Sequence, residues 1–132
     1  MILLQNHTKA LRAVSDMTGE QLRKQFGNKE KVTGYIIGAV YNSDLYRKKE
    51  DLLRIDPAGI AAGLAAWTKM TGAKGAGIIT LADEKIREPL LDYAREAGLS
   101  LNFEEESMFL RTKHRDDLFV SFDELQKTAL ML

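Results

Sequence analysis

The chain has 132 residues, 45% of them hydrophobic and 29% charged, which excludes a disordered tail, a collagen-like fibre or a low-complexity linker. It has no cysteine, so disulfides, thiolate metal ligands and cysteine nucleophiles are excluded and an intracellular, cytoplasmic setting is expected. Nineteen basic side chains balance nineteen acidic ones, so no overall field draws the protein to nucleic acid or to an anionic membrane.

Taken in order, residues 1–34 read as a helical segment. Leu11 and Val14 lie three apart on one face over 8–14. Thr18, three residues before Gln21, has the spacing of a capping box and opens a second helix over 20–26. Gly27-Asn28 then supplies a helix stop. The run Tyr35-Ile-Ile-Gly-Ala-Val-Tyr41 is β-branched and aromatic, and predicts a strand. Leu45–Arg54 fits either a charged helix or a loop entering a strand at Leu52–Ile55, and Pro57 ends whatever precedes it.

Ile60, Leu64 and Trp67 recur at helical spacing over 59–70, with Gly72 as the C-cap, so this segment is a helix with one apolar stripe and an alanine flank. Residues 76–82 form a continuous apolar run, the pattern of a strand covered on both faces. Ile86, Leu90, Ala94 and Ala97 make another helical stripe ending at Gly98. Pro89 is tolerated in a first turn, which moves the expected start of that helix to about residue 88. Leu101–Glu104 and Met108–Thr112 read as two strands joined through Glu105-Glu106, and 118–120 as a further strand. Ser121 with Glu124 is a capping box for a last helix over 121–132. The expected fold is α/β: one domain over 1–132, with a mixed sheet flanked by helices over 35–120.

Several chemistries lack their residues. His7 and His114 are far apart, and no spacing of carboxylates argues for a metal site. None of the serines lies in a Gly-x-Ser-x-Gly elbow. Gly72-Ala-Lys-Gly75-Ala-Gly77 leads from a helix into a strand, the reverse of a phosphate loop, and reads as a helix cap. The start of the chain, Met1–Leu4, has no basic flank and is not a secretory signal. The weakly polar stretch 57–68 is shorter than the roughly 20 residues that cross a bilayer, so no membrane partner is expected.

The best candidate is Asp56-Pro-Ala-Gly59-Ile60-Ala61-Ala-Gly63, where a possible strand gives way to a helix whose first amides are unpaired. Here the sequence resembles the GCN5-related N-acetyltransferase family, whose acyl-CoA loop runs Gln/Arg-x-x-Gly-x-Gly/Ala. Gly59 and Ala61 match its last two fixed positions, and the order helix, strand, helix, strand pair over about 52–112 looks like the family's C-terminal half. The resemblance implies acetyl-CoA as cofactor, with its pyrophosphate on the backbone of Gly59, Ile60, Ala61 and Gly63. It also implies that Tyr93 protonates the departing thiolate while an amine takes the acyl group. Asp56 stands where the family has Gln or Arg, and Tyr93 lies five residues before Gly98, one more than the family has. The same turn is similar to the Asp-Ser-Ser/Thr-Gly-Leu turn of STAS domains such as anti-sigma factor antagonists, with Pro57 and Ala58 in place of the hydroxyl residues.

The alternative expectation is a non-enzymatic interaction or assembly module that binds a protein partner or its own copies. Its signal is uneven charge. Residues 1–82 hold twelve Lys/Arg against seven Asp/Glu, and residues 83–106 hold three against eight. Trp67 and Met70 on the alanine-rich helix could serve as a partner surface, although burial statistics place a lone Trp on an apolar stripe in the core. Arg23-Lys24, Lys29-Glu-Lys31 and Arg47-Lys48-Lys49, near Tyr35, Tyr41 and Tyr46, have the composition of a nucleic-acid surface. Glu30, Glu50 and Asp51 within those clusters weigh against it.

Overall fold

A computed structural model describes residues 2–39, 53–79, 84–104 and 116–132. Its elements are α1 (Ile2–Asp16), α2 (Gly19–Phe26), β1 (Ile36–Ala39), α3 (Pro57–Thr71), β2 (Ala76–Ile79), α4 (Glu84–Glu96), β3 (Leu101–Glu104), β4 (Leu118–Ser121) and α5 (Phe122–Leu130). The class is α/β, as expected.

The four strands form one sheet in the order β3-β2-β1-β4. Every described pairing is parallel, with Ile36 opposite both Ala76 and Leu118, and Ala76 opposite Leu101. The expected mixed sheet is therefore corrected. β3 pairs with β2, and β4, the further strand at 118–120 of the sequence reading, crosses the whole sheet to pair with β1. The predicted strand at 108–112 lies outside the described residues, as do Val40 and Tyr41 of the first strand and 80–82 of the second.

Of the two readings of Leu45–Arg54, the strand is excluded over 53–55, which form a short helical turn, and 45–52 lie outside the described residues. Leu53 is fully buried while Ile55 is exposed. The strand that feeds α3 is β1. Helix α4 begins by Glu84 and carries Pro89 inside it. Pro89 removes one amide and its bond to the carbonyl four residues back. Leu90 and Ala94, both buried, hold the helix to the core across that gap.

Local signals place the helix ends. The Thr18 side chain accepts from the Gln21 amide at 3.1 Å, and the Gln21 side chain accepts from the Thr18 amide at 2.8 Å. Gly72, at φ 72°, ends α3 in the left-handed conformation that glycine adopts without strain. Ser121 Oγ accepts from the Glu124 amide at 3.2 Å and starts α5.

Helix α3 is the hub: it touches α1, α2, α4, α5, β1 and β2. Ile60 and Leu64 face the sheet, packing with Ile36, Ile78, Val120, Phe122 and Leu125. Ala58, Ala61, Ala62, Ala65 and Ala66 face the other helices, with Leu11 and Val14 of α1 and Leu22 of α2. The alanine flank read from the sequence is thus a second packing face beside the apolar stripe. An apolar helix without a polar face belongs in the interior, and from Ala58 to Ala66 every residue of α3 is buried.

Small side chains let the neighbours approach closely. A Cβ on Gly63 would lie 2.7 Å from the carbonyl carbon of Leu125 and overlap its oxygen, so the backbones of α3 and α5 meet there. Lys69 makes a different tie. Its ammonium donates to the carbonyls of Val14 at 2.6 Å, Met17 at 2.8 Å and Ser15 at 3.2 Å. The last turn of α1 has no basic residue of its own, so α3 supplies the cation that its dipole favours.

Gly63→Ala gains up to about 1 kcal/mol of helix propensity but forces a methyl against immobile backbone, at about 1–3 kcal/mol. The expected net is destabilisation, seen as a lower urea midpoint; a higher midpoint would show that α5 stands off α3. Lys69→Met keeps the apolar stem and removes the cap on α1, with an expected loss of about 1–2 kcal/mol in the same assay.

Candidate functional site

The turn at 56–63 is closed. Asp56 is the N-cap of α3, and its Oδ1 accepts from the Gly59 amide at 3.0 Å. Its Oδ2 accepts from Gln126 Nε2 of α5 at 2.9 Å. The Ile60 amide donates to the Asp56 carbonyl at 3.1 Å, and Pro57 has no N–H to offer. Three of the first four helical residues therefore have no amide to present to a phosphate. Gly59, Ile60, Ala61 and Gly63 are all buried, and Gly63 faces the backbone of Leu125.

Tyr93 is in the last turn of α4, half-buried against the cluster shared by α1 and α3. Gly59 is in the first turn of α3. Both helices cross over between parallel strands, running from the carboxyl edge of the sheet to its amino edge. The structure thus sets Tyr93 and the glycine turn at opposite ends of the helix layer and does not bring them together.

The strand order reverses between β1 and β4, the place where open parallel sheets commonly leave a ligand crevice beyond their carboxyl ends. Here β4 passes into α5 at Ser121 without a loop. The fully buried Phe122 lies against the last turn of β1: a Cβ on Gly38 would be 3.2 Å from both Phe122 Cε1 and Leu125 Cδ1. On the helix side, an aromatic ring of α5 thus packs on the described part of β1 beside the reversal.

At the amino edge the described residues form a hollow. Residues 29–33, residues 116–118 and the last turns of α3 enclose a hollow of about 350 Å³, lined by Lys29, Glu30, Lys31, Val32, Thr33, Trp67, Thr71, Asp116, Asp117 and Leu118. Its walls are laced together. The Val32 amide donates to the Thr71 carbonyl and the Gly34 amide to the Asp116 carbonyl, each at 3.0 Å, and the Leu118 amide donates to the Tyr35 carbonyl at 2.9 Å. The Tyr35 amide donates to Asp117 Oδ1 at 2.6 Å.

Trp67, the one tryptophan in the chain, is half-buried in this hollow. Its Nε1–H donates to Thr128 Oγ1 at 3.1 Å, and the Thr128 hydroxyl donates to the Glu124 carbonyl at 2.8 Å. The indole is thereby fixed from behind by α5. The Lys29 ammonium stands over its other side, 5.1 Å from the ring centroid.

Of the other sequence candidates, Met70 is only 2% exposed and belongs to the core. Arg23 donates to the Met70 carbonyl at 3.2 Å, so that part of the basic cluster is committed to α3. Residues 47–49 and His114 lie outside the described residues. Among the described residues no group of three or more His, Asp or Glu side chains could hold a metal ion, and no helix is long and apolar enough to cross a membrane.

No family model, no curated protein and no solved structure matches this chain.

Asp56 holds two donors from different elements, so its loss orphans both. Asp56→Ala is expected to cost about 1–2 kcal/mol as a lost N-cap and to raise hydrogen exchange at Gly59. Unchanged exchange at Gly59 would show that the carboxylate does not hold that amide.

Proposed function

We propose that this protein is a non-enzymatic recognition module, an α/β scaffold that presents Trp67 to a protein partner at the amino edge of its sheet. One observation carries the reading: a single, rigidly held tryptophan lies at the floor of a mixed apolar and charged hollow. Tryptophan anchors in partly desolvated hollows dominate binding energy in interfaces, while the charged rim sets orientation. A volume of about 350 Å³ falls within the range of sites that accept a ligand or a few side chains.

The hollow is built before any partner arrives. Its segments are fixed by backbone hydrogen bonds, and its indole by Thr128. Binding there orders few groups, so little of the interaction energy is lost to conformational entropy.

The acyl-CoA reading needs the first amides of α3, and Asp56 already occupies the amide of Gly59. A dianionic pyrophosphate would also meet that carboxylate. Favouring the module over the transferase therefore rests on the occupancy of those groups.

Selection of displayed peptides on the wild-type protein is expected to enrich sequences whose binding falls at least tenfold in Trp67→Phe, a change that keeps an aromatic body but loses the fixed indole. Equal binding to both proteins would overturn the reading. In parallel, millimolar acetyl-CoA is expected to leave the melting temperature unchanged. A ligand at a hundred times its Kd would add about 2.7 kcal/mol to stability, and a shift of that order would restore the acyltransferase reading.

A further inference from the structure

We infer that the hollow receives a cationic side chain of the partner, an arginine guanidinium in particular, in the place over Trp67 that Lys29 now holds. This rests on the reading of the hollow as a recognition site and adds the chemistry of its guest.

The first observation is the cation already there. The π face of an indole carries negative potential, attracts a cation within about 6 Å and repels an anion. The Lys29 ammonium at 5.1 Å shows that this face is open to a positive group from the solvent side. The second is the charge of the walls. Three carboxylates, on Glu30, Asp116 and Asp117, meet two ammonium groups, on Lys29 and Lys31. Asp117 is engaged by the Tyr35 amide. Among the described residues the Glu30 and Asp116 carboxylates make no ion pair, and both residues are exposed.

When Lys29 leaves the ring for water, the two exposed carboxylates of Glu30 and Asp116 face the one remaining ammonium of the described lining, on Lys31. A guest that replaces it must then be positive, or the hollow gains uncompensated repulsion. Guanidinium fits better than ammonium. It is planar and can stack on the indole, is more weakly hydrated, and carries five donors that two separate carboxylates can share. Lys29 lies on a short connecting segment and is bound to the ring by a contact of the weak, solvent-exposed kind. It acts as an internal placeholder, which keeps the indole covered and lowers the affinity for every competing cation.

The test uses the full chain and the emission of Trp67, which reports on the hollow alone because no other tryptophan is present. The probes are the blocked peptide Gly-Gly-Arg-Gly-Gly and its citrulline counterpart, which has the same shape and no charge. The arginine peptide is expected to change the emission saturably, and the citrulline peptide to bind at least threefold more weakly. Lys29→Ala is expected to tighten the arginine peptide by about two- to fivefold, the worth of an exposed cation–π contact. Glu30→Gln with Asp116→Asn is expected to weaken it by a similar factor.

Equal binding of the two peptides, or a Lys29→Ala protein that binds arginine no better than wild type, would overturn the inference. So would an emission change driven by inorganic phosphate at equal ionic strength, which would assign the hollow to anions through Lys29 and Lys31. If the peptides fail while display selection still returns Trp67-dependent sequences without basic residues, the guest is wrong and the recognition site stands. If selection also returns nothing, both fall.

Discussion

The close approach of α3 to everything around it is the constraint on which the rest of the structure depends. A helix of ordinary width keeps its neighbours 8–10 Å away; one made of glycine and alanine admits them to backbone contact, as at Gly63 against Leu125. Two sets of partners can then share a single helix. The sheet takes Ile60 and Leu64, while α1 and α2 take the alanine faces. Without α3, neither the sheet nor the N-terminal helices would have a common surface to bury. The Lys69 ammonium on the carbonyls of α1 fixes the outer helix where alanine contacts alone would let it slide.

That same burial decides where on α3 chemistry can occur. The N-terminal half is surrounded, and its cap comes from Asp56, which is itself only 3% exposed and tied to Gln126. The C-terminal half emerges between residues 29–33 and 116–118, and there the helix changes character to Trp67, Thr68 and Lys69. All three are half-buried, and each makes a directed contact: the indole to Thr128, the Thr68 hydroxyl to the Leu64 carbonyl, the ammonium to α1. The exposure of side chains at this end is a consequence of packing at the other.

What the sequence made legible was local. The capping spacing of Thr18 and Gln21, the glycine stop at 72, and the strand runs around 36–39 and 76–79 each rest on a few adjacent residues, and each lies where the spacing puts it. The strand order did not follow, because β4 joins β1 across about eighty residues and no short-range signal selects that pairing. The alanine flank beside the stripe of Ile60, Leu64 and Trp67 was legible as a second packing face, but not which helices would cover it, because alanine is compatible with any close neighbour. At the turn, the sequence contained the answer. Asp followed by Pro is an N-cap with proline at N1, which already assigns the carboxylate to the helix's own amides. The glycines drew attention to a ligand, whereas Gly63 is required by a neighbouring helix. The hollow was hardest to see, since three segments remote in sequence build it. Only the tryptophan and the alternating charges of Lys29-Glu30-Lys31 pointed there.

The described junctions at the two edges of the sheet differ, and the difference sets where two aromatic side chains go. Parallel α/β sheets tend to bind ligands beyond their carboxyl ends, where loops separate strand from helix at the point of reversal. In this chain β4 becomes α5 with no intervening residue, so Phe122 is delivered directly against β1, and its burial stabilises the fold by about 1.5–3 kcal/mol. At the amino edge the chain enters β1 through residues 29–35 and β4 through a turn at 116–117 instead. Those segments hydrogen-bond to each other and to the end of α3, with Lys29 over the indole. A direct strand-to-helix junction thus sends Phe122 into the core beside β1, while two laced entry segments leave Trp67 half-buried at the amino edge.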